Sequence, residues 1–374
     1  MRYRRFGRTG LSMPVLSLGT MRFASPEVAH SVVEKAIAQG ITHLETAPAY
    51  GASERYLGAA IAQISCSRND LILTTKLTPT LSAAEVDEAI SQSLTRLNTD
   101  YIDCLAIHGI NTPEHLDWAT LEMLEPLLQA KAAGRIRHIG FSTHGRLDLI
   151  LRAIATESFD FVNLHYNYFF QRNEAAIALA HQQDMGVFII SPADKAGLLY
   201  TPSDLLKTLC APDDPLLLNY RWLLSDSRIT TLSIGPATPN ELDWPLQVAD
   251  SVGPLSSAEQ AAVDRLDRAQ IDGLGSDRCS ACHQCLPCPE VINIPEVLRL
   301  RNLAVAYEMD AYGQYRYGMF EKAGHWFWGR KGDRCTDCGD CLPRCPESLD
   351  IPGLLRDTHR RLKGKERRRL WGDE

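Results

Sequence analysis

Ser25-Pro-Glu-Val-Ala-His-Ser-Val-Val-Glu-Lys-Ala-Ile-Ala-Gln-Gly-Ile-Thr-His-Leu-Glu45 contains one full repeat of the fold. Ser25 is a natural N-cap, since its short side chain can accept from backbone N–H groups of a first helical turn. Pro26 suits the first helical position, where its missing N–H removes no bond. Val28, Val32, Val33, Ala36 and Ile37 then recur at helical spacing, which predicts a helix over Pro26–Gln39 with one apolar face. Thr42–Glu45 follows as a short strand. A helix that is apolar on one side needs a sheet to cover that side.

The same alternation runs outward in both directions. Met13–Leu18, Thr42–Glu45, Leu71–Thr75, Tyr101–Ile107, Ile136–Phe141, Phe161–Leu164, Gly186–Ile190 and Ile229–Ile234 are strand candidates, with helical stretches between them. Ser82-x₂-Glu85 and Ser256-x₂-Glu259 have the pattern of capping boxes. Strand–helix repetition of this kind predicts a parallel sheet, and eight repeats fit a (β/α)₈ TIM barrel over residues 1–270. An open doubly wound sheet is the alternative, weakened because no Gly-x-Gly-x-x-Gly turn follows the first strand. Arg2–Arg5 before Gly7-Arg8-Thr9-Gly10 predicts a hairpin capping the barrel bottom.

Composition narrows the function classes. The apolar fraction of 45% is ordinary for a globular protein, and no apolar run approaches the roughly 20 residues of a membrane span. Met1 to Arg8 is basic but leads into no apolar stretch of a secretion signal, so the expected location is the cytoplasm. Net charge is −7, yet residues 356–369 carry eight Lys/Arg and only two acids. The body is therefore strongly acidic and would repel nucleic-acid phosphates. The basic tail reads either as a solvated helix end or as a dock for an acidic surface.

Eight of the eleven cysteines fall in two runs, Cys279-x₂-Cys282-x₂-Cys285-x₂-Cys288-Pro289 and Cys335-x₂-Cys338-x₂-Cys341-x₃-Cys345-Pro346. Three thiolates at three-residue spacing can wrap one iron–sulfur cube, and a fourth before proline can reach the neighbouring cube. The expected ligand sets are Cys279, Cys282, Cys285 and Cys345 for one [4Fe–4S] cluster, and Cys335, Cys338, Cys341 and Cys288 for the other. Two Cys₄ zinc sites are the competing reading, though zinc motifs come as separated Cys-x₂-Cys pairs. The first run is one residue shorter before its last cysteine than the bacterial ferredoxin pattern. Between the runs lie a helical stretch, Ile294–Glu308, and the aromatics Tyr312, Tyr315, Tyr317, Phe320, Trp326, Phe327 and Trp328, expected to form core. So long a separation resembles α-helical ferredoxin domains, so residues 271–374 are expected to form a smaller, mainly α-helical ferredoxin-like iron–sulfur domain, with 271–278 as linker. Cys66, Cys104 and Cys210 read as ordinary buried thiols.

Reactive groups of such barrels sit where strands end. Glu45 ends the second strand, Tyr50 lies in its loop, Lys76 ends the third and His108 ends the fourth. Those segments, Gly40–Glu54, Thr75-Lys76, Tyr101–His108 and Ile139–Ser142, resemble the aldo/keto reductase superfamily. The whole chain resembles its bacterial branch with a C-terminal iron–sulfur domain. The resemblance implies NADP(H), NAD(H) not excluded, bound without a Rossmann motif, and a small-molecule carbonyl substrate. It places the catalytic tetrad on Tyr50, Lys76, His108 and Glu45, with Tyr50 as proton donor. The family usually has aspartate at the position of Glu45; the extra methylene shifts the carboxylate by about one bond length, and compensation by the backbone is expected.

By the same resemblance Gly19, Thr20 and Met21 lie beside the nicotinamide, and Ser142 and Asn163 bond its carboxamide. Ser191, in Ile190-Ser191-Pro192, falls where many members stack an aromatic. Gly235, and a helix starting near Thr238-Pro239, match the pyrophosphate end. Glu241 stands near the place of the arginine that grips the 2′-phosphate. Clusters move single electrons whereas nicotinamide moves a hydride. Three readings follow: carbonyl reduction by NAD(P)H with clusters that are structural or sense redox state, electron passage between a ferredoxin- or flavodoxin-like redox partner and a substrate in the barrel, or a barrel that serves only as scaffold for an electron carrier.

Overall fold

The computed structural model describes residues 1–193, 195 and 197–366; the last three residues of the basic stretch 356–369 lie outside that range. The chain begins with β1 (Tyr3–Arg5) and β2 (Ser12–Pro14), then β3 (Leu16–Gly19), α1 (Pro26–Ala38), β4 (His43–Glu45), α2 (Ser53–Gln63), β5 (Ile72–Leu77), α3 (Ala83–Leu97) and β6 (Ile102–His108). It continues with α4 (Pro113–Asp117), α5 (Leu124–Ala132), β7 (Ile136–Ser142), α6 (Leu147–Ala155), β8 (Phe161–Leu164), α7 (Glu174–Gln182), β9 (Gly186–Ile189), α8 (Asp204–Cys210), α9 (Pro215–Ser225) and β10 (Thr231–Ile234). After these come α10 (Asp243–Leu246), α11 (Ser257–Leu274), α12 (Ile294–Tyr307), α13 (Asp310–Tyr317) and α14 (Ile351–Leu362).

Eight parallel strands close a barrel in the order β10-β3-β4-β5-β6-β7-β8-β9. Ser25 caps α1 by accepting from the Val28 N–H, and both capping boxes form, at Ser82/Glu85 and Ser256/Glu259. The expected first strand, Met13–Leu18, divides in two. Ser12–Pro14 pairs antiparallel with β1, and only Leu16–Gly19 enters the barrel. Pro14 marks the break because it has no N–H to give to a ladder.

The hairpin drives Phe6 into the barrel, where it packs with Met13, Ile72, Cys104, Ala106, Phe161 and Phe188. Its ring lies 5.3 Å from that of Phe161. Gly186 permits this, since a Cβ there would sit 2.3 Å from Phe6 Cδ2. A well-packed floor leaves the opposite, C-terminal end of the strands as the open end.

The chain divides into two compact units, Met1–Ala196 with Asn219–Pro254, and Gly197–Leu218 with Leu255–Glu374. These bounds differ from a division at residue 270, which falls inside α11. Residues 271–274, expected as linker, are the last turn of that helix. In the second unit α8 packs on α11, Arg265 Nε donates to Leu209 O at 2.9 Å, and Ser203 Oγ donates to Tyr307 O at 2.6 Å. Asn293 caps α12; of the aromatics expected as core, Tyr312, Tyr317, Phe320 and Phe327 are buried, whereas Tyr315, Trp326 and Trp328 are half-buried. Cys104 and Cys210 are buried as expected, whereas Cys66 is only partly covered.

Candidate active site

Glu45 and Lys76 stand on adjacent strands at the open end of the barrel, both almost fully buried. Lys76 Nζ donates to Glu45 Oε1, to Thr46 O at 3.1 Å and to the Tyr50 hydroxyl at 3.0 Å. Burial works against the ammonium, but the Glu45 carboxylate and the Tyr50 oxygen outweigh it and raise the Lys76 pKa above 10.5. The extra methylene of Glu45 thus leaves its carboxylate in contact with the lysine. The His108 ring meets the Tyr50 ring edge-on, with centroids 5.8 Å apart.

The turn that carries Tyr50 is pinned from below. Ser53 Oγ lies 2.6 Å from Thr20 Oγ1 and 2.9 Å from Thr46 Oγ1, and Thr20 N donates to Glu45 O at 3.0 Å. Buried Glu54 accepts from Thr75 Oγ1 at 2.6 Å and from Arg96 Nε at 2.6 Å. Strand β5 and helices α2 and α3 are thereby locked around the Tyr50 loop.

The residues expected at the cofactor are placed as follows. Gly19 leaves no room for a side chain, because a Cβ would sit 2.8 Å from Ser233 Oγ. Thr20 uses its hydroxyl internally, as above, and Met21 is half-buried. Ser142 Oγ accepts from Gly109 N at 3.1 Å and pairs by register with Asn163. Asn163 is fully buried, and neither its Oδ1 nor its Nδ2 has a hydrogen-bond partner. Ser191 is half-buried with φ of 51°. Gly235 O accepts from Arg22, whose guanidinium also pairs with Glu241 at 2.6 Å. The helix expected at Thr238-Pro239 is a short 3₁₀ turn, Pro239–Leu242, followed by the single turn α10.

One group at the mouth escaped the sequence reading. His165 Nδ1 lies 3.1 Å from Ile190 O, and its Nε2 lies 3.3 Å from His144 Nε2 and 3.0 Å from Lys195 Nζ. Extending the strand alternation two residues past Ser142 and Asn163 would have found both histidines.

The cysteines form two cavities in the second unit. One is lined by Cys279, Cys282, Cys285 and Cys345. The other is lined by Cys288, Cys335, Cys338 and Cys341. Each is lined by cysteines of both runs. Asn302 Nδ2 donates to Cys279 O at 2.8 Å, fixing the first turn of one cavity from α12. Burial, above all, pushes the thiol of Cys279 up to about 11 and that of Cys285 up to about 12.

A parallel barrel with a phenol, an ammonium, a carboxylate and an imidazole at its mouth, joined to a cysteine-caged unit, defines an oxidoreductase. The aldo/keto reductase family model matches residues 15–208, and a 4Fe-4S dicluster domain model matches residues 278–350. The chain belongs to the aldo/keto reductase family. It is 30% identical over 218 residues to the uncharacterized oxidoreductase YqkF of Bacillus subtilis (strain 168), covering 54% of this chain and 69% of that one. It is 34% identical over 146 residues to the methylglyoxal reductase DkgB of Yersinia pestis, covering 39% of this chain and only 53% of that protein. The fold matches aldo-keto reductase AKR11C1 from Bacillus halodurans (holo form) with a TM-score of 0.60 at 23% identity, over 71% of this chain and 96% of that one.

Proposed function

We propose that the barrel reduces a small carbonyl compound with NAD(P)H, with Tyr50 giving the proton, and that the second unit holds two [4Fe–4S] clusters. The observation that carries the first half is Lys76, one buried ammonium in contact with both Glu45 and the Tyr50 hydroxyl. A bound nicotinamide supplies the hydride, and the sum is carbonyl plus NAD(P)H plus H⁺ to alcohol plus NAD(P)⁺. A phenol of pKa near 10 is a weak acid at neutral pH. Lys76 stabilises the phenolate and brings that acidity toward the working range. Glu45 keeps Lys76 charged and aimed. His108, beside Tyr50, is in reach to hydrogen-bond the substrate oxygen as charge builds on it. Tyr50 regains its proton from solvent.

The buried amide of Asn163, with both polar atoms unpartnered, supports a nicotinamide carboxamide beside Ser142, where a flat group with one donor and one acceptor would satisfy it. The paired cysteine cavities support the clusters, which supply one-electron transfer when bound. Thiolate cages of this kind need reducing surroundings, so the cytoplasm is the proposed location. No helix among the described residues is long and apolar enough to cross a membrane.

Methylglyoxal, named in the relatives' activity, is the first substrate to try. Tyr50→Phe should lower its NADPH-dependent reduction by about 10²–10⁴, the usual range for loss of a general acid, while NADPH binding by fluorescence stays intact. Wild type and variant turning over a panel of small aldehydes equally poorly would remove the proposed mechanism. Asn163→Leu should move two readouts in opposite directions. Removing an unsatisfied buried amide should stabilise the nucleotide-free protein by about 1–3 kcal/mol. The same change should weaken NADPH binding about tenfold, as loss of a hydrogen-bonded contact implies. Thermal melts and fluorescence titration read the two effects separately.

A further inference from the structure

Beneath the Glu45–Lys76 pair the barrel lumen contains a second polar layer that the proposed chemistry does not use. His43 stands two residues before Glu45 on β4, and Thr74 two residues before Lys76 on β5. Strand alternation puts each on the same inward side as the residue above it. His43 is 1% exposed, Thr74 2% and Ser17 0%, so water does not serve this layer. His43 Nδ1 lies 2.6 Å from Ser17 Oγ, and Nε2 lies 2.7 Å from Thr74 Oγ1. Ser17 Oγ in turn lies 2.6 Å from Thr231 Oγ1. Thr74 also hydrogen-bonds the Cys104 side chain. One imidazole therefore stitches together β10, β3, β4 and β5, with a further link to β6. Those last four strands carry Gly19, Glu45, Lys76 and His108.

The groups around the ring are the hydroxyls of Ser17 and Thr74, the Phe188 ring edge-on at 5.2 Å, and the Lys76 ammonium above. Burial, and after it Lys76, lowers the His43 pKa from 6.5 to about 3, so the imidazole is neutral. A neutral imidazole has one donor and one acceptor nitrogen. One neighbouring hydroxyl must donate to the ring and the other must accept from it. That rule orders the hydroxyl protons along the whole chain and gives the layer a single direction. A directed, fully bonded layer in a low-dielectric lumen is stiff.

We infer that His43 is a positioning residue for the Glu45–Lys76–Tyr50 group. By fixing the spacing of β4 and β5 one step below, it sets where the Glu45 carboxylate meets Lys76 and how Lys76 is aimed at the Tyr50 phenol. The inference rests on Tyr50 being the proton donor.

The test uses the full holoprotein with His43→Leu, His43→Gln and Thr74→Val. Glutamine offers one donor and one acceptor and can still bridge the two hydroxyls; valine keeps the shape of threonine and removes the Nε2 partner. Two readouts are taken between about pH 6 and pH 11, bracketing the ordinary phenol pKa. One is kcat and KM for methylglyoxal with NADPH. The other is the ultraviolet difference titration of the Tyr50 phenol against the matching Tyr50→Phe background, which needs no turnover. His43→Leu should lower kcat about tenfold with KM within about twofold, and should raise the phenol titration by about one pH unit, the same tenfold in acidity. Thr74→Val should move the titration in the same direction, and His43→Gln should restore most of both. Unchanged phenol titration in His43→Leu overturns the inference, and if that variant does not fold, unchanged titration in Thr74→Val does so. Equal loss of kcat, KM and stability in His43→Leu and His43→Gln assigns the histidine to packing alone and also overturns it. A wild type that reduces no carbonyl removes the proposed function, while the phenol titration still decides the role of His43.

Discussion

Lys76→Met is expected to abolish carbonyl reduction and to destabilise the barrel in the same stroke. Lys76 touches both the Glu45 carboxylate and the Tyr50 hydroxyl. Methionine fills similar volume, so packing loss is small. What remains is a carboxylate, 4% exposed, with its cation gone. Removing one member of a buried ion pair costs about 3–5 kcal/mol, because the other charge stays desolvated. The Tyr50 phenol loses the charge that favours its ionised form, so its acidity falls as well. Turnover with methylglyoxal should drop by about 10³ or more, within the range for loss of an activating partner. The double variant Glu45→Gln/Lys76→Met should recover most of the stability and none of the activity. Thermal melts and single-wavelength NADPH assays on both proteins read this directly. Stability restored together with turnover would show that the pair has no chemical part.

Removal of iron should unfold the second unit and spare the barrel. Each cysteine cavity is lined by three cysteines from one run and one from the other, Cys345 in the first and Cys288 in the second. Clusters bound there cross-link segments more than fifty residues apart, such as Cys282 and Cys345. Metal binding of this kind is folding free energy for a small domain. Anaerobically prepared protein should carry about eight irons and eight sulfides per chain on the two-cube reading. Cys338→Ala should lower the count to about four, and Cys288→Ala should do the same although it lies in the other run. A chelated sample should lose one thermal transition and keep another. If the chelated sample still reduces methylglyoxal with NADPH, the clusters serve structure or redox sensing. If reduction stops while NADPH binding persists, electrons pass through the cages, and a ferredoxin- or flavodoxin-like partner is required. A preparation without iron or colour, even when grown and handled without oxygen, would end the cluster assignment.

Much of the barrel was legible because its signals are local. Ser25-Pro26 and the two capping boxes fix helix starts by short-range hydrogen bonds, and these form as the sequence indicates. Strand ends were legible too, so Glu45, Tyr50, Lys76 and His108 could be picked out together. Met13–Leu18 was misread because hydrophobic runs do not show where one ladder stops and another starts; Pro14 carried that information. The grouping of Gly197–Leu218 with the C-terminal half was invisible, since α8 docks on α11 across more than forty residues of chain. An amphipathic helix announces that it has a buried face but not what buries it. His43 and the His144–His165–Lys195 group were missed for another reason. His144 and His165 continue the alternation past their strands, but nothing in the sequence shows which partners the closed barrel brings within bonding distance of them or of His43.

The exchange of fourth cysteines has a consequence for how the molecule is made. Cys279, Cys282 and Cys285 are translated sixty or more residues before Cys345, yet all four line one cavity. On the proposed ligation the earlier cage stays a three-legged, open seat throughout synthesis of the intervening chain. Inorganic sulfide and iron can then be sealed in only after Cys345 has emerged.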